Sequence, residues 1–429
     1  MKKNLLVGLL MLLLCAFSWS TGIQDITAAD ADWKKGVTEL VWFNGGTLSG
    51  DPAIAEGLLG WEKTTGIKVK VVEIPGEVYA EQLVRTLALK ESTYDVVDAS
   101  YMLPEWAKNG WILQMDDVIS DSLKKQWDPA FLDYISWNGK MYAVPHYNQA
   151  SFIAVRTDLL KEIGMAEPPA LWDDFLKAAQ KLTLDSNGDG NPERFGFVFP
   201  ATGEEAPWLF KDFILSSGTP FWNADGTAAF NNANGEAAVK LLVDMRNKYK
   251  VVPPGVVNYK LGDCGDIFNG GQAAMAYLSM GGLVYNALKS PIGKDFTMAP
   301  VPTRIPVNQI KGPAQHAYAM VTVVPVNCRH PEAAKRLALW MGSYQQSWNE
   351  AVVEGNVPVH MGVFESPYLK THYAFSEQIE TILKRSVVLY RYLEEIDIVR
   401  KGLQFALTEE MTPVKALEYI ANDLNKIKK

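Results

Sequence analysis

Cysteine is nearly absent from this chain, with three in 429 residues. That is too few for the stapled loops of a disulfide scaffold. Two of them, Cys264 and Cys328, fall in segments that the pattern below assigns to different lobes, which argues against a bridge between them. Basic clusters are equally scarce. The formal net charge is −8, and the one concentration of lysines, Lys426 with Lys428 and Lys429, is a chain terminus, so nothing points to a nucleic-acid partner. After the amino-terminal segment no apolar run approaches the ~18 residues that a bilayer span requires. The five histidines, His146, His316, His330, His360 and His372, show no HxH or HExxH spacing, which removes the usual transition-metal sites. GxSxG, P-loop and Rossmann glycine patterns are missing as well. The consecutive acids Asp116-Asp117 and Glu394-Glu395 read as solvated helix ends.

What is present is a folded, exported protein. Hydrophobic residues make up 48% of the chain, enough for the cores of two domains of ordinary size. Met1-Lys2-Lys3 followed by an apolar stretch over 5–17 has the form of an export signal. We assign 1–29 to it, with cleavage between about Ser20 and Ala31. Leu14 stands where a lipoprotein cleavage box has a small residue, so ordinary cleavage is favoured over lipid attachment at Cys15. A soluble mature protein, periplasmic or extracellular, follows.

The pattern along the chain is α/β. A strand over 38–43 leads into Asn44-Gly45-Gly46-Thr47. Asp51-Pro52 is an N-cap followed by proline at N1, opening a helix with Ile54, Leu58 and Trp61 on one face and Gly66 at its end. The alternation over 67–71 predicts a half-buried strand, and Tyr79, Leu83 and Leu87 a second helix. A third strand over 94–99 ends at Ser100 and Tyr101, the position where open α/β sheets place ligand contacts. At 138–156, NGKMYAVPHYNQASFIAVR, a tight turn at Asn138-Gly139 precedes a strand stopped by Pro145. The polar linker His-Tyr-Asn-Gln then joins it to a strand from Ser151. The linker reads as a crossing between two lobes, and an ordinary hairpin with a polar bend is the alternative. Beyond it the α/β pattern restarts, with helical faces around Trp172 and Leu242, a strand over 318–325, a helix opened by Pro331, and a terminal helix capped by Thr412-Pro413.

Five of these segments, in this order, carry a resemblance: GWEKTTGIKVKV, YDVVDASYMLPEWAKNGWILQMDD, NGKMYAVPHYNQASFIAVRTDLL, IFNGGQAAMAY and HPEAAKRLALWM. Over nearly the whole mature chain the sequence resembles the family 1 extracellular solute-binding proteins, the maltose-binding-protein-like receptors of ABC importers. The resemblance implies a two-lobed periplasmic-binding-protein fold with three interlobe crossings and a ligand cleft between the lobes. It sets lobe 1 at 33–145 plus about 304–343 and lobe 2 at 151–299 plus about 348–429. It also implies a carbohydrate ligand, permease subunits as partners, a monomer, no cofactor and no catalysis. Two departures stand out: Ala170 replaces a common threonine cap before Trp172, and Gly281 falls where many sugar-binding members carry an aromatic.

A sugar site needs flat aromatic faces for C–H surfaces, with amides, hydroxyls and carboxylates for the hydroxyl rim. The resemblance places Trp208 at a ring-stacking position, against a core tryptophan as the alternative; Trp222 reads as packing. It aligns Asn44 and Thr47 with a ligand-facing first loop and Ser100 and Tyr101 with a third-strand loop, although all four also serve as ordinary turn residues. Asn148 and Gln149, in the linker, are the strongest polar candidates. Ser279, Gln315 and His316 complete the set. Asp185, Asn187, Asp189, Asn191 and Glu193 match the oxygen spacing that opens a calcium loop, but Gly196 stands where the bidentate glutamate belongs, so an Asx/Gly turn is the competing account. The alternatives to a sugar receptor are a secreted glycoside hydrolase, which would need two carboxyls facing each other about 5 to 10 Å apart, and the same fold binding a polyol or a glycerol phosphate. The phosphate would call for a basic residue, for which Arg304 is the candidate.

Overall fold

The structure, a computed structural model, describes residues 31–44, 51–74, 76–88, 93–99, 103–279, 281–372, 375–389 and 393–427. The signal segment and Cys15 lie outside them, as do the candidate site residues Thr47, Ser100 and Tyr101. In chain order the strands among the described residues are β1 (Glu39–Asn44), β2 (Lys68–Glu73), β3 (Val96–Ala99), β4 (Ser136–Trp137), β5 (Lys140–Met141), β6 (Val144–Arg156), β7 (Met275–Ser279), β8 (Phe296–Ala299), β9 (Gln315–Val323), β10 (Val357–Pro358) and β11 (Ser386–Val388). No described helix is long and apolar enough to cross a membrane.

The chain divides into two compact units, Met1–Asn148 with Ala319–Tyr373, and Gln149–Tyr318 with Ala374–Lys429. It therefore passes between them three times, the number the family resemblance implies. The second and third passages, after Tyr318 and Tyr373, fall later than the lobe bounds of about 299–304 and 343–348 expected from the resemblance. The extended segment after Pro300 stays with the second unit because the Thr303 N–H donates to the Ala170 carbonyl at 2.9 Å. The segment after Gly342 stays with the first because Gln346 Nε2 donates to the Ala53 carbonyl at 3.1 Å.

The first unit has a sheet of order β10-β6-β9-β3-β1-β2. β2 and β3 run parallel to β1, and β9 runs antiparallel to β3 with Val321 opposite Ala99. From Leu40 onward every residue of β1 is buried, as befits a parallel strand covered on both faces. β2 alternates exposed lysines with half-buried valines at its edge position. The helix Pro52–Thr65 begins and ends as the sequence predicts: Asp51 accepts the Ile54 N–H at 3.1 Å, and Gly66 closes it at φ 78° with its N–H on the Glu62 carbonyl. Its middle must be bare. A Cβ on Gly57 would lie 2.0 Å from Gln346 Oε1, and the Gly57 carbonyl accepts the Trp340 indole N–H at 2.8 Å.

In the second unit the later half of β6 pairs antiparallel with β7 and β8, and β11 pairs parallel with the start of β9. The helix Ala206–Ser216 is buried at all of its residues, so it lies at the centre of its unit rather than on its surface. Trp172 opens the helix Trp172–Leu182 without a side-chain cap; the Thr303 carbonyl instead accepts the Trp172 N–H at 2.9 Å. That contact does the work of the threonine missing at Ala170. Cys264 and Cys328, both free, belong to different units.

The polar linker requires a correction. His146 to Gln149 do not interrupt two strands but lie inside one continuous strand, β6, of 13 residues. Pro145 fits because it is second in that strand, ahead of the Tyr147–Pro358 pair that begins the β10 ladder, where a missing N–H costs little. The tight turn is real: Asn138 and Gly139 both have positive φ, 49° and 72°, and join β4 to β5. The passage out of the first unit occurs between Asn148 and Gln149, at the residues the sequence singled out.

Candidate functional site

In the first unit one candidate residue ends a strand and another is the last residue of the unit within a strand that continues beyond it. Asn44 is the last residue of β1, and Asn148 is the last residue of β6 before the chain leaves the unit. Each is 3% exposed. Asn44 Nδ2 and Asn148 Oδ1 have no hydrogen-bond partner among the described residues. A buried amide left open is costly, and here one donor and one acceptor remain available for hydrogen bonding. Asn44 lies at the carboxyl end of a parallel strand, the usual ligand edge of an α/β sheet.

Sequence reasoning missed the charged cluster beside Asn148. His146, two residues earlier and so on the same face of β6, is fully buried with Nε2 2.8 Å from Glu350 Oε1 and Nδ1 4.0 Å from Asp98 Oδ1. Glu350 Oε1 also accepts Gln346 Nε2 at 2.7 Å, and its Oε2 accepts Asn356 Nδ2 at 2.7 Å. Asp51 and Glu354 complete the group, their carboxylates within 4.8 Å of each other and of Glu350. Burial, then Glu350 and Glu354, hold the Asp51 carboxyl well above its ordinary value, and burial likewise raises Glu354 and Asp98. Asp51 and Glu354 are hydrogen-bonded to each other, which two carboxyls achieve by sharing a proton. Burial alone would pull His146 down, but Glu350 and Asp98 together push it up to about 10. One imidazolium and one shared proton thus offset part of the negative charge of the four carboxyl groups. The sequence signal was thin: Asp51 announced itself only as a helix cap, and His146 is about 200 residues from Glu350.

The second unit uses several candidates to tie strands together. Gln315 donates through Nε2 to the Ser151 carbonyl at 2.9 Å and accepts the Val301 N–H at 3.2 Å. The His316 N–H donates to Asp212 Oδ1 at 2.6 Å. The Tyr277 hydroxyl lies 2.6 Å from both Asp212 Oδ2 and Ser151 Oγ. Asp212, on the helix Ala206–Ser216, therefore joins β6, β7 and β9 near the residues where β6 and β9 change units. Burial pushes its carboxyl up to about 7, while the Tyr277 hydroxyl, the His316 N–H and Lys211 oppose that rise. Ser279 stands opposite Ser151 in the β6–β7 register and is buried; Gln149 is half-buried. Trp208 is 5% exposed in the central helix, the setting of a core residue. Trp222 packs edge-on against Phe221 at 4.8 Å.

Other sequence expectations find physical accounts here. Gly281 has φ 95° and ψ −140° at the start of the helix Gly282–Lys289, a conformation open to glycine alone. An aromatic there would be strained, which explains the departure. Arg304 is exposed and bonded to Asn234 Oδ1. In the loop 185–193, Asp185 accepts the N–H groups of Gly188 and Gly190, Asn187 that of Asp189, Asp189 that of Asn191, and Glu193 that of Ser186. These bonds build an Asx/Gly turn from the side chains read as calcium ligands. The consecutive acids are not simply solvated ends: Asp117 pairs with Lys335 at 2.7 Å, and Glu395 is buried against Lys211 at 2.6 Å.

Two α/β units joined by three chain passages define the class of two-lobed binding proteins. The chain belongs to the bacterial extracellular solute-binding protein family, whose model matches residues 45–347. A putative binding protein of Brucella abortus is 24% identical over 64% of this chain, and the match spans 62% of that protein's length. A probable ABC transporter-binding protein of Deinococcus radiodurans is 22% identical over 87% of this chain and 90% of its own. A mannitol-binding protein of Pseudomonas aeruginosa is 23% identical, covering 73% and 71% respectively. The maltose-bound T. maritima MalE3 structure superimposes with a TM-score of 0.80 at 23% identity, covering 91% of this chain and all of that one.

Proposed function

We propose that this protein is the extracytoplasmic receptor of an ABC importer for a carbohydrate or polyol. The observation that carries the reading is the pair of buried, open amide groups, Asn44 Nδ2 and Asn148 Oδ1, one at the end of β1 and one where β6 leaves the first unit, in a fold whose relatives bind mannitol and maltose. A donor and an acceptor held dry suit the two-way hydrogen bonding of a sugar hydroxyl. Gln149, Ser279, Thr47, Ser100 and Tyr101 are proposed as further polar contacts, while the bonds of Gln315 and His316 give those two a supporting part. A phosphorylated ligand is disfavoured by the four carboxyl groups around His146 and by the engagement of Arg304 with Asn234.

In this reading the mature protein is a monomer freed of its signal by cleavage before about Ala31, and it hands ligand to membrane permease subunits without chemistry. Binding would act by population shift, the liganded form being the one the permease recognises. No cofactor is needed, and the 185–193 loop stands without an ion. A thermal-shift panel of maltodextrins, monosaccharides, mannitol and glycerol phosphate tests it, because a ligand specific to the native state raises the melting temperature. A shift with a sugar or polyol supports the proposal. A shift with glycerol phosphate alone, or release of reducing sugar from an oligosaccharide, overturns it.

A further inference from the structure

Asn148 is held from two sides by one residue. Its backbone pairs with Val357 of β10, and the residue before Val357, Asn356, gives its side-chain amide to Glu350 Oε2 at 2.7 Å and its N–H to the Glu350 carbonyl at 3.0 Å. On β6 itself His146, on the same face as Asn148, meets Glu350 Oε1 at 2.8 Å. Glu350 thus grips both strands of the pair that ends in Asn148. It stands at the start of a π-helical turn, Glu350–Glu354, that follows the helix Tyr344–Asn349; such turns recur at functional sites. The same turn carries Glu354, whose Oε1 accepts the Ala53 N–H at 3.1 Å and whose carboxyl is bonded to Asp51. Glu350 is fully buried, as is His146, so neither can trade its partner for water at small cost.

We propose that Glu350 is a positioning residue of the binding site: through His146 and Asn356 it sets the direction of Asn148, the amide offered to ligand. The inference rests on the receptor reading only for what Asn148 touches; the grip on β6 stands apart from it. Charged and titratable groups facing His146 come from every neighbouring element: Asp98 of β3, Glu350 and Glu354 of the π turn, and Asp51 at the cap of Pro52–Thr65. Of these, Glu350 alone touches both β6 and the segment leading into β10.

Hydrogen exchange on the full chain, parent and Glu350→Gln, tests the grip without any ligand. The expected result is exchange at least about tenfold faster over 146–149, with little change in the second unit. The double variant His146→Gln/Glu350→Gln, in which two neutral amides bond each other, is expected to restore most of the protection. Binding of maltose and of D-mannitol is measured in parallel by calorimetry. Glu350→Gln and Asn148→Ala should each weaken the bound sugar about tenfold, and the two together no more than either alone, because one acts through the other. Unchanged exchange in Glu350→Gln overturns the inference, as do additive losses of affinity. Faster exchange with rescue, in a protein that binds no sugar or polyol at all, supports the positioning and refutes the carbohydrate reading instead.

Discussion

His146 Nε2 lies 2.8 Å from Glu350 Oε1, both side chains withdrawn completely from water and some 200 residues apart in the chain. Neither residue announces the other in the sequence, yet the pair joins the strand that leaves the first unit to the segment added late to it.

The pair gives the protein an alkaline limit. The histidine is raised from an ordinary 6.5 to about 10, so its stabilising contribution is whole below about pH 6.5 and is lost as pH rises through about 10. Melting temperatures between pH 6 and 10.5 should fall more steeply for the parent than for His146→Gln/Glu350→Gln. His146→Gln alone, which strands the Glu350 carboxyl, should cost about 3 to 5 kcal/mol at pH 7.

Asp212 sets a dependence of the same sign, but nearer neutrality. Its carboxyl is raised from 3.8 to about 7, so its contribution is complete below about pH 3.8 and disappears as pH rises through about 7. Asp212→Asn keeps the shape and removes the titration. Its melting curve should accordingly lose less between pH 5 and 8 than the parent's does. Identical pH profiles for the two proteins would refute the assignment.

Much of the architecture was legible because local signals and tertiary demands agreed. Asp51-Pro52 and Gly66 bounded a helix as their capping chemistry requires, and the alternation at 67–71 marked an edge strand. Pro145 misled: a proline near the start of a strand stops nothing, and the run to Arg156 is continuous. The unit boundaries were misplaced because they depend on single long-range bonds, such as Gln346 to Ala53, that leave no periodicity behind. Of the candidate residues, Asn44 stood out after the first strand and Asn148 within the polar linker, while the cluster around His146 did not. Buried acids on separate elements look like ordinary helix caps and solvated turns until the chain brings them together.

Gly281 can be tested directly against the family habit of an aromatic at this position. With φ at 95°, any side chain is strained by about 1 to 3 kcal/mol. Gly281→Trp should therefore lower the melting temperature by several degrees without adding affinity for maltose. A tighter-binding variant of unchanged stability would show that the backbone there adapts freely.

The loop 185–193 should be indifferent to calcium. Its carboxylate and amide oxygens already accept five backbone N–H groups, and no glutamate stands at Gly196. Calorimetric melting with excess calcium and with a chelator should superimpose. A rise of several degrees with calcium would restore the cation reading.

Trp208 decides between packing and stacking. Its position in the family pattern suggests a platform for a sugar ring, but at 5% exposure within a helix buried at every residue it has the surroundings of a core side chain. The two roles differ in what truncation removes. A platform lost from a binding site costs affinity, on the order of 1 to 3 kcal/mol for the apolar sugar surface it covers, and leaves the ligand-free fold intact. A core tryptophan cut to alanine leaves a cavity and costs about 3 to 5 kcal/mol of stability. Burial favours the second outcome. Trp208→Ala is expected to lower the ligand-free melting temperature by 5 °C or more on the usual ~2–4 °C per kcal/mol scale for a domain of this size. Trp208→Phe, which refills most of the space, should recover the greater part. Unchanged melting with a ten- to hundredfold loss of sugar affinity, about 1.4 to 2.8 kcal/mol, would return Trp208 to the binding site.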